Sequence, residues 1–142
     1  MNQGFKNLIA YQKAYKMAMD IYRLTKSFPK EETYSLTDQI RRSSRSVCSN
    51  IGEGYRKRQY PKHFSHKLSD ADGECSETIV WLDFCKDCGY ISENDYKILS
   101  KEYGEVGKLL NHMINNPTKF SHWNTWKKLN PTYQYVLLCF LA

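Results

Sequence analysis

Apolar residues recur along this chain at steps of three and four, and nowhere over a useful length at steps of two. Steps of three and four are the 3.6-residue period of an amphipathic helix, whereas a half-buried strand alternates. The pattern predicts four helices, near residues 8–28, 35–58, 62–88 and 93–115, and no sheet. The first stripe is Leu8, Tyr11, Ala14, Tyr15, Ala18, Ile21, Tyr22 and Thr25, with Asn7 as its expected cap and Pro29 as its stop. The second is Leu36, Gln39, Ile40, Ser43, Val47, Asn50, Ile51 and Gly54. That face is small and polar, so two helix axes can approach toward the low end of the ~8–10 Å range. Gln39 and Asn50 would then require hydrogen-bond partners inside the fold.

The third helix is expected to open at Pro61, a favoured first helical residue, and to close at Gly89. Phe64, Leu68, Ala71, Cys75, Thr78, Leu82 and Cys85 line one side, widened by Ile79 and Trp81. Gly73 is an unfavourable interior residue, costing ~1 kcal/mol against alanine. The fourth opens with Ser92 and Asp95 as a short-armed capping box and carries Tyr96, Leu99, Tyr103, Val106, Leu110 and Met113. Short connections make neighbouring helices antiparallel, so the fold class is an all-α, up-down four-helix bundle over residues 1–116. Residues 117–142 break the pattern at Pro131 and carry Trp123, Trp126 and a final apolar run. Packing on the bundle, contact with a neighbouring subunit and disorder all stay open for this tail.

Charge sharpens the picture. The net charge of +6 is unevenly spread. From Arg41 to Lys67 there are eight basic residues and one acid; from Leu68 to Glu105 there are three basic residues and ten acids. A molecule polarised in this way suits an acidic partner at its basic part, or pairing of opposite surfaces between copies. Pairing a basic face with the next subunit's acidic face is a heterologous contact, which predicts a closed ring. The final apolar stretch, Tyr133 to Ala142, falls short of the ~20 residues that a membrane helix needs, so no membrane association is expected. Five cysteines, Cys48, Cys75, Cys85, Cys88 and Cys139, with no signal-peptide pattern, predict reduced thiols and a cytoplasmic location.

The motifs argue against catalysis. Cys85 and Cys88 form a CxxC, but at a helix C-terminus, where the dipole opposes a thiolate. His63 and His66 stand about 30 Å up the same helix at 1.5 Å per residue, too far to complete a zinc site within one protomer. Ser43, Ser44 and Ser46 have no evident His and Asp partners. The acids Asp70, Asp72, Glu74 and Glu77 lack the Glu-x-x-His pairs of a di-iron bundle. Gly52-Glu53-Gly54 follows no strand and is not a phosphate loop. The expectation is a non-enzymatic protein with no metal and no cofactor.

The stretch FPKEETYSLTDQIRRSSRSVCSNIGEGYRKR, followed by DADGECSETIVWLDF and CGYIS, resembles the four-helix bundle proteins encoded in intervening sequences of bacterial 23S ribosomal RNA genes. More distantly it is similar to the accessory variability determinants of diversity-generating retroelements. The resemblance covers about Phe5 to Phe120 and rests on Gln39-Ile40-Arg41-Arg42, the Asn50-Ile51-x-Glu53 pair and the third-helix motif in order. It implies a homopentameric ring and a role in binding RNA or DNA, with a reverse transcriptase among the candidate protein partners. Gly52 and Gly54 stand where the family often has alanine, which predicts a looser end of the second helix. The tail after Phe120 has no counterpart.

The candidate nucleic-acid-binding residues are Arg41, Arg42, Arg45, Arg56, Lys57, Arg58 and Lys62. Two readings stand side by side: a phosphate-binding patch, or a solvated face whose charges serve subunit pairing. Tyr55 and Tyr60 interleave with these cations, as packing residues or as stacking platforms. Gln39, Asn50 and Glu53 are expected to be structural. Glu53 should pair with Arg41, Arg42 or an arginine of another subunit. The functional expectation is therefore an oligomeric nucleic-acid-binding bundle, or alternatively a protein-binding adaptor.

Overall fold

Local chemistry sets where each helix begins and ends. A computed structural model describes residues 4–121, with α1 at Ile9–Leu24, α2 at Leu36–Arg56, α3 at Pro61–Asp87 and α4 at Glu93–Asn115. Short 3-10 turns lie at Gly4–Asn7, Thr25–Ser27, Lys30–Glu32 and Pro117–Lys119, and no strand occurs among the described residues. Pro61 opens α3. The Ser92 hydroxyl accepts the Asp95 amide at 3.0 Å and opens α4. α3 closes in a Schellman motif: Gly89, at φ +75°, donates to the Lys86 carbonyl, and Tyr90 donates to the Cys85 carbonyl, both at 2.9 Å.

Two helix ends differ from expectation. Asn7 does not cap α1; Leu8 occupies that position in extended conformation with no side-chain bond. α1 also stops short of residue 28. The Thr25 hydroxyl donates to the Ile21 carbonyl at 2.8 Å, the helix tightens into a 3-10 turn, and Phe28 is extended ahead of Pro29. α2 is capped from outside: a Glu32 carboxylate oxygen accepts the Leu36 amide at 3.2 Å and the Ser35 hydroxyl.

The buried residues step by four and three. On α3 they are Phe64, Leu68, Ala71, Cys75, Thr78, Leu82 and Cys85, all foreseen from the pattern. On α4 they are Leu99, Tyr103, Val106, Leu110 and Met113. This is the 3.5-residue repeat of left-handed bundles. Each helix packs on two neighbours, α1 on α2 and α4, and α3 on α2 and α4. Side-chain bonds fix the antiparallel register: Thr78 with Ser43 and Lys67 with Asn50 between α3 and α2, and Ser65 with Ile114 and Tyr96 with Asp83 between α3 and α4. Full burial of Phe64, Leu68, Leu82 and Leu110 stabilises the fold by about 1.5–3 kcal/mol each.

α1 is rotated from its expected face. Ala10, Ala14, Met17, Ala18 and Ile21 are buried, whereas Tyr15 is 54% exposed and Tyr11 and Tyr22 sit half-buried at the flanks. Three alanines let α1 come close to its neighbours. The tyrosine rings cover the edge and keep their hydroxyls near water. On α2 the inner face takes Thr37 and Ser44, while Gln39 and Asn50 move to its margin. Past Asn115 the chain folds back, and Phe120 meets the Phe64 ring at 6.0 Å. The expectations for Trp123, Trp126, Pro131 and Cys139 lie outside the described residues.

Gly54 does not loosen α2. It is buried, and a Cβ there would lie 3.2 Å from Lys67 Cβ and 3.4 Å from Leu68 Cδ2. Gly73 has open space where a Cβ would go. Gly73→Ala should therefore stabilise the fold by about 1 kcal/mol. Gly54→Ala should destabilise it by up to about 2 kcal/mol, because Lys67 Cβ cannot yield without moving α3 and that overpacking outweighs the helix-propensity gain. Denaturant unfolding of the two variants against the parent checks both signs.

Candidate nucleic-acid interface

α2 turns its small face to the core, so its long basic side chains face outward. Arg42, Arg45, Ser49, Gly52 and Arg56 follow one another at steps of three and four along one stripe of the helix. Arg42, Arg45 and Arg56 are exposed, as are Lys57 and Lys62 beyond the helix end. Arg42 makes only a loose pair with Asp38, at 3.9 Å. Arg45, Arg56, Lys57 and Lys62 have no carboxylate within 4.0 Å among the described residues.

Between Arg45 and Arg56 the stripe thins to Ser49 and Gly52, and a groove of about 600 Å³ opens against α1. Phe5, Tyr11, Tyr15 and Met19 form its apolar wall, and the two arginines stand at its margins with Glu53. The rings are in contact: Phe5 meets Tyr11 edge-on at 5.1 Å, and Tyr11 stacks with Tyr15 at 6.1 Å. Sequence reasoning assigned Tyr11 and Tyr15 to the core and missed this wall. The available signal was the pair of small residues set between two arginines, which leaves room for a trough.

The remaining predicted residues separate into different roles. Arg41 is half-buried, with Nε donating to the Thr25 hydroxyl at 2.8 Å and the guanidinium 5.0 Å from the Tyr22 ring centre. Arg58 is set apart from the exposed cations. It is 8% exposed, donates to the Tyr55 carbonyl at 2.6 Å and stacks on the Tyr55 ring at 3.8 Å. Burial holds its guanidinium below the ordinary arginine pKa. Tyr55 is thus a partner of Arg58, while Tyr60 is 57% exposed.

Asn50 donates to the Ser46 carbonyl at 3.1 Å and accepts from Lys67 at 3.4 Å. Glu53 pairs with that same Lys67, at 2.8 Å, and not with Arg41 or Arg42. Those arginines lie eleven and twelve residues up the helix, about 17 Å away at 1.5 Å per residue. The short turn into α3 instead sets residue 67 beside 53. Gln39 is half-buried, and its side chain makes no hydrogen bond among the described residues. The CxxC is divided by the helix, with Cys85 buried and Cys88 exposed. His66 faces Asp70 at 3.6 Å, at the other end of α3.

Two pH-linked outcomes follow. The hydrogen bond from Lys67 and its charge hold the Glu53 carboxyl below the ordinary value of 4.5. A lowered folded pKa gives stability that is complete above the unfolded value and disappears as pH falls through the folded one. Glu53→Gln should therefore lower the melting temperature slightly at neutral pH and leave it unchanged near pH 2, as a pH series of thermal melts would show. Burial pushes the Cys48 thiol up to about 11 and the Cys75 and Cys85 thiols up to about 12. Among these and Cys88, iodoacetamide at neutral pH should modify Cys88 first and spare Cys75 and Cys85 until the protein unfolds; mass spectrometry of timed aliquots reads the order.

Comparison with known proteins bears on this arrangement. No curated protein matches the chain. A crystal structure of a protein of unknown function from the S23 ribosomal protein family of Bacteroides thetaiotaomicron superposes with a TM-score of 0.69 at 30% identity, covering 75% of this chain and 96% of that one. The model of the 23S rRNA-intervening sequence protein family matches residues 6–112, which take in α1 to α3 and all of α4 but its last turn. The chain belongs to the 23S rRNA-intervening sequence protein family.

Proposed function

We propose that this protein is a non-catalytic bundle that binds nucleic acid, RNA or DNA, along the outer face of α2. One observation carries the reading: cations without carboxylate partners stand at both margins of an aromatic groove, Arg45 on one side and Arg56 on the other. Cations along a groove attract a phosphate backbone, and exposed rings stack on bases of any sequence. Arg42, Lys57 and Lys62 extend the cationic track beyond the groove. Arg58 supports the end of α2 through its stack on Tyr55 and is not assigned to the backbone.

The working form is a homo-oligomer in the cytoplasm. Val80, Phe84 and Ile98 are about half exposed on the outer side of α3 and α4, beside the exposed acids Glu77, Asp87 and Glu93. Exposed apolar side chains beside acids suit a contact with a basic neighbouring surface. Five subunits accord with the family likeness. Among the described residues no helix is long and apolar enough to cross a membrane. The apolar wall of the groove also favours a second reading, an adaptor that takes a protein such as a reverse transcriptase.

Binding to a labelled RNA, and to DNA of the same sequence, should weaken with salt by about 0.7–0.9 log units per phosphate contact for each tenfold rise. Arg45→Ala with Arg56→Ala should reduce that slope. Tyr15→Ala should weaken binding by about 1–3 kcal/mol with the slope unchanged. If the parent binds neither nucleic acid at low salt, the adaptor reading replaces this one. Light scattering should give a multiple of the protomer mass, and Phe84→Asp should lower it; a monomeric parent rules out the oligomer.

A further inference from the structure

The aromatic groove leaves one cationic feature unexplained. At the opposite end of α2, three cations gather round the ring of Tyr22: Lys26 at 4.9 Å, Arg41 at 5.0 Å and Arg45 at 6.0 Å from its centre. None of the three has a carboxylate within 4.0 Å among the described residues. The ring face offsets part of their mutual repulsion but carries no net charge.

Two of these cations line a pocket of about 370 Å³ under the α1–α2 connection. Its wall includes Tyr22, Lys26, Lys30, Thr33, Thr37 and Arg41, and no acid. The Arg41 Nε is held by Thr25, which fixes the guanidinium while its terminal nitrogens have no partner among the described residues. Thr37 is 7% exposed, and its Oγ1 has no hydrogen-bond partner, which is costly for a buried hydroxyl. Glu31 is exposed and Asp38 lies 3.9 Å from Arg42, and neither lines the pocket. Glu32 caps α2 and accepts from the Tyr90 hydroxyl at 3.1 Å; Asp20 pairs with Lys16 and Arg23.

We propose that this pocket is a phosphate-binding site, in which Arg41, Lys26 and Lys30 receive the anion's oxygens. A guanidinium with one nitrogen tethered is a preorganised fork for two phosphate oxygens, and flanking lysines supply point charges. Arg41 and Arg56 are fifteen residues apart on α2, about 22 Å at 1.5 Å per residue. A strand lying in the aromatic groove therefore has a second anchoring point along the same helix. The phosphate chemistry stands on the pocket alone; its source in a nucleic-acid strand rests on the function proposed above.

The test uses the full chain in its native assembly and inorganic pyrophosphate as probe, with chloride holding ionic strength constant. Calorimetry should show pyrophosphate binding. Arg41→Gln should weaken it by about tenfold or more. The pair Lys26→Gln with Lys30→Gln, both exposed and safe for folding, should weaken it in the same direction and lower the RNA salt slope by about 1.4. Pyrophosphate binding lost in the lysine pair with RNA binding untouched supports the pocket and assigns it to a free phosphate compound. Pyrophosphate binding by a protein that binds no nucleic acid keeps the pocket and removes the strand reading. No pyrophosphate binding by the parent, or equal binding by the parent and the lysine pair, overturns the proposal.

Discussion

The close approach of α2 to α3 is the contact on which the rest of the structure depends. α2 presents Ser43, Val47 and Gly54 to α3, and the gap closes until the Ser43 and Thr78 hydroxyls meet at 2.9 Å. Gly54 sits against Lys67 and Leu68, where a methyl group would come within 3.2 Å of Lys67 Cβ. The Ser43–Thr78 bond and the Gly54–Lys67 approach hold this thin face in the observed register. That register seats Lys67 beside Asn50 and Glu53 and fixes the rotation of α2 about its axis. Once that rotation is set, Arg42, Arg45 and Arg56 must face outward, because the opposite side of the helix is inside.

The charges follow from the same geometry. Among the described residues Lys67 pairs closely with Glu53, while Arg41 and Arg45 sit against the Tyr22 ring and Arg41 also bonds the Thr25 hydroxyl. Tyr22 gathers three cations at one end of α2, and Tyr55 holds Arg58 at the other. Rings accept cations without neutralising them, so the positive field of the helix survives folding. The acids of α3 and α4 are spent partly on their own lysines and polar groups, as in Lys108 with Glu105 and Tyr96 with Asp83. Opposite fields thus persist on different sides of one small bundle, as expected for a molecule that meets a polyanion or its own copies.

Small residues serve both faces of α2. Inside, serine and glycine let α3 approach. Outside, Ser49 and Gly52 open the trough that the Phe5, Tyr11 and Tyr15 rings line. The S23-family crystal structure shares the fold at 30% identity, and this chain's match to the family model spans the bundle. The likeness therefore concerns the scaffold.

The sequence by itself determined the number, order and approximate ends of the helices, because helical period, Pro61, Ser92 and Gly89 are local signals that need no partner. It also determined the inner faces of α3 and α4, where large apolar residues at four-three spacing leave a single choice. Tertiary structure decided the rest. α1 carries alanines on one face and tyrosines on the next, and only the spacing of its neighbours selects the alanines for the interior. Glu53 had several basic candidates along the chain, and only the α2–α3 register places Lys67 within reach. Sequence placed seven cations in one candidate set and favoured the Arg56-Lys57-Arg58 end as the exposed site, yet Arg58 is buried on a ring, Arg41 is tethered to Thr25, and Arg45 and Arg56 flank a groove. A helical period states which residues share a face, but not what that face will meet; that depends on contacts between segments far apart in the chain.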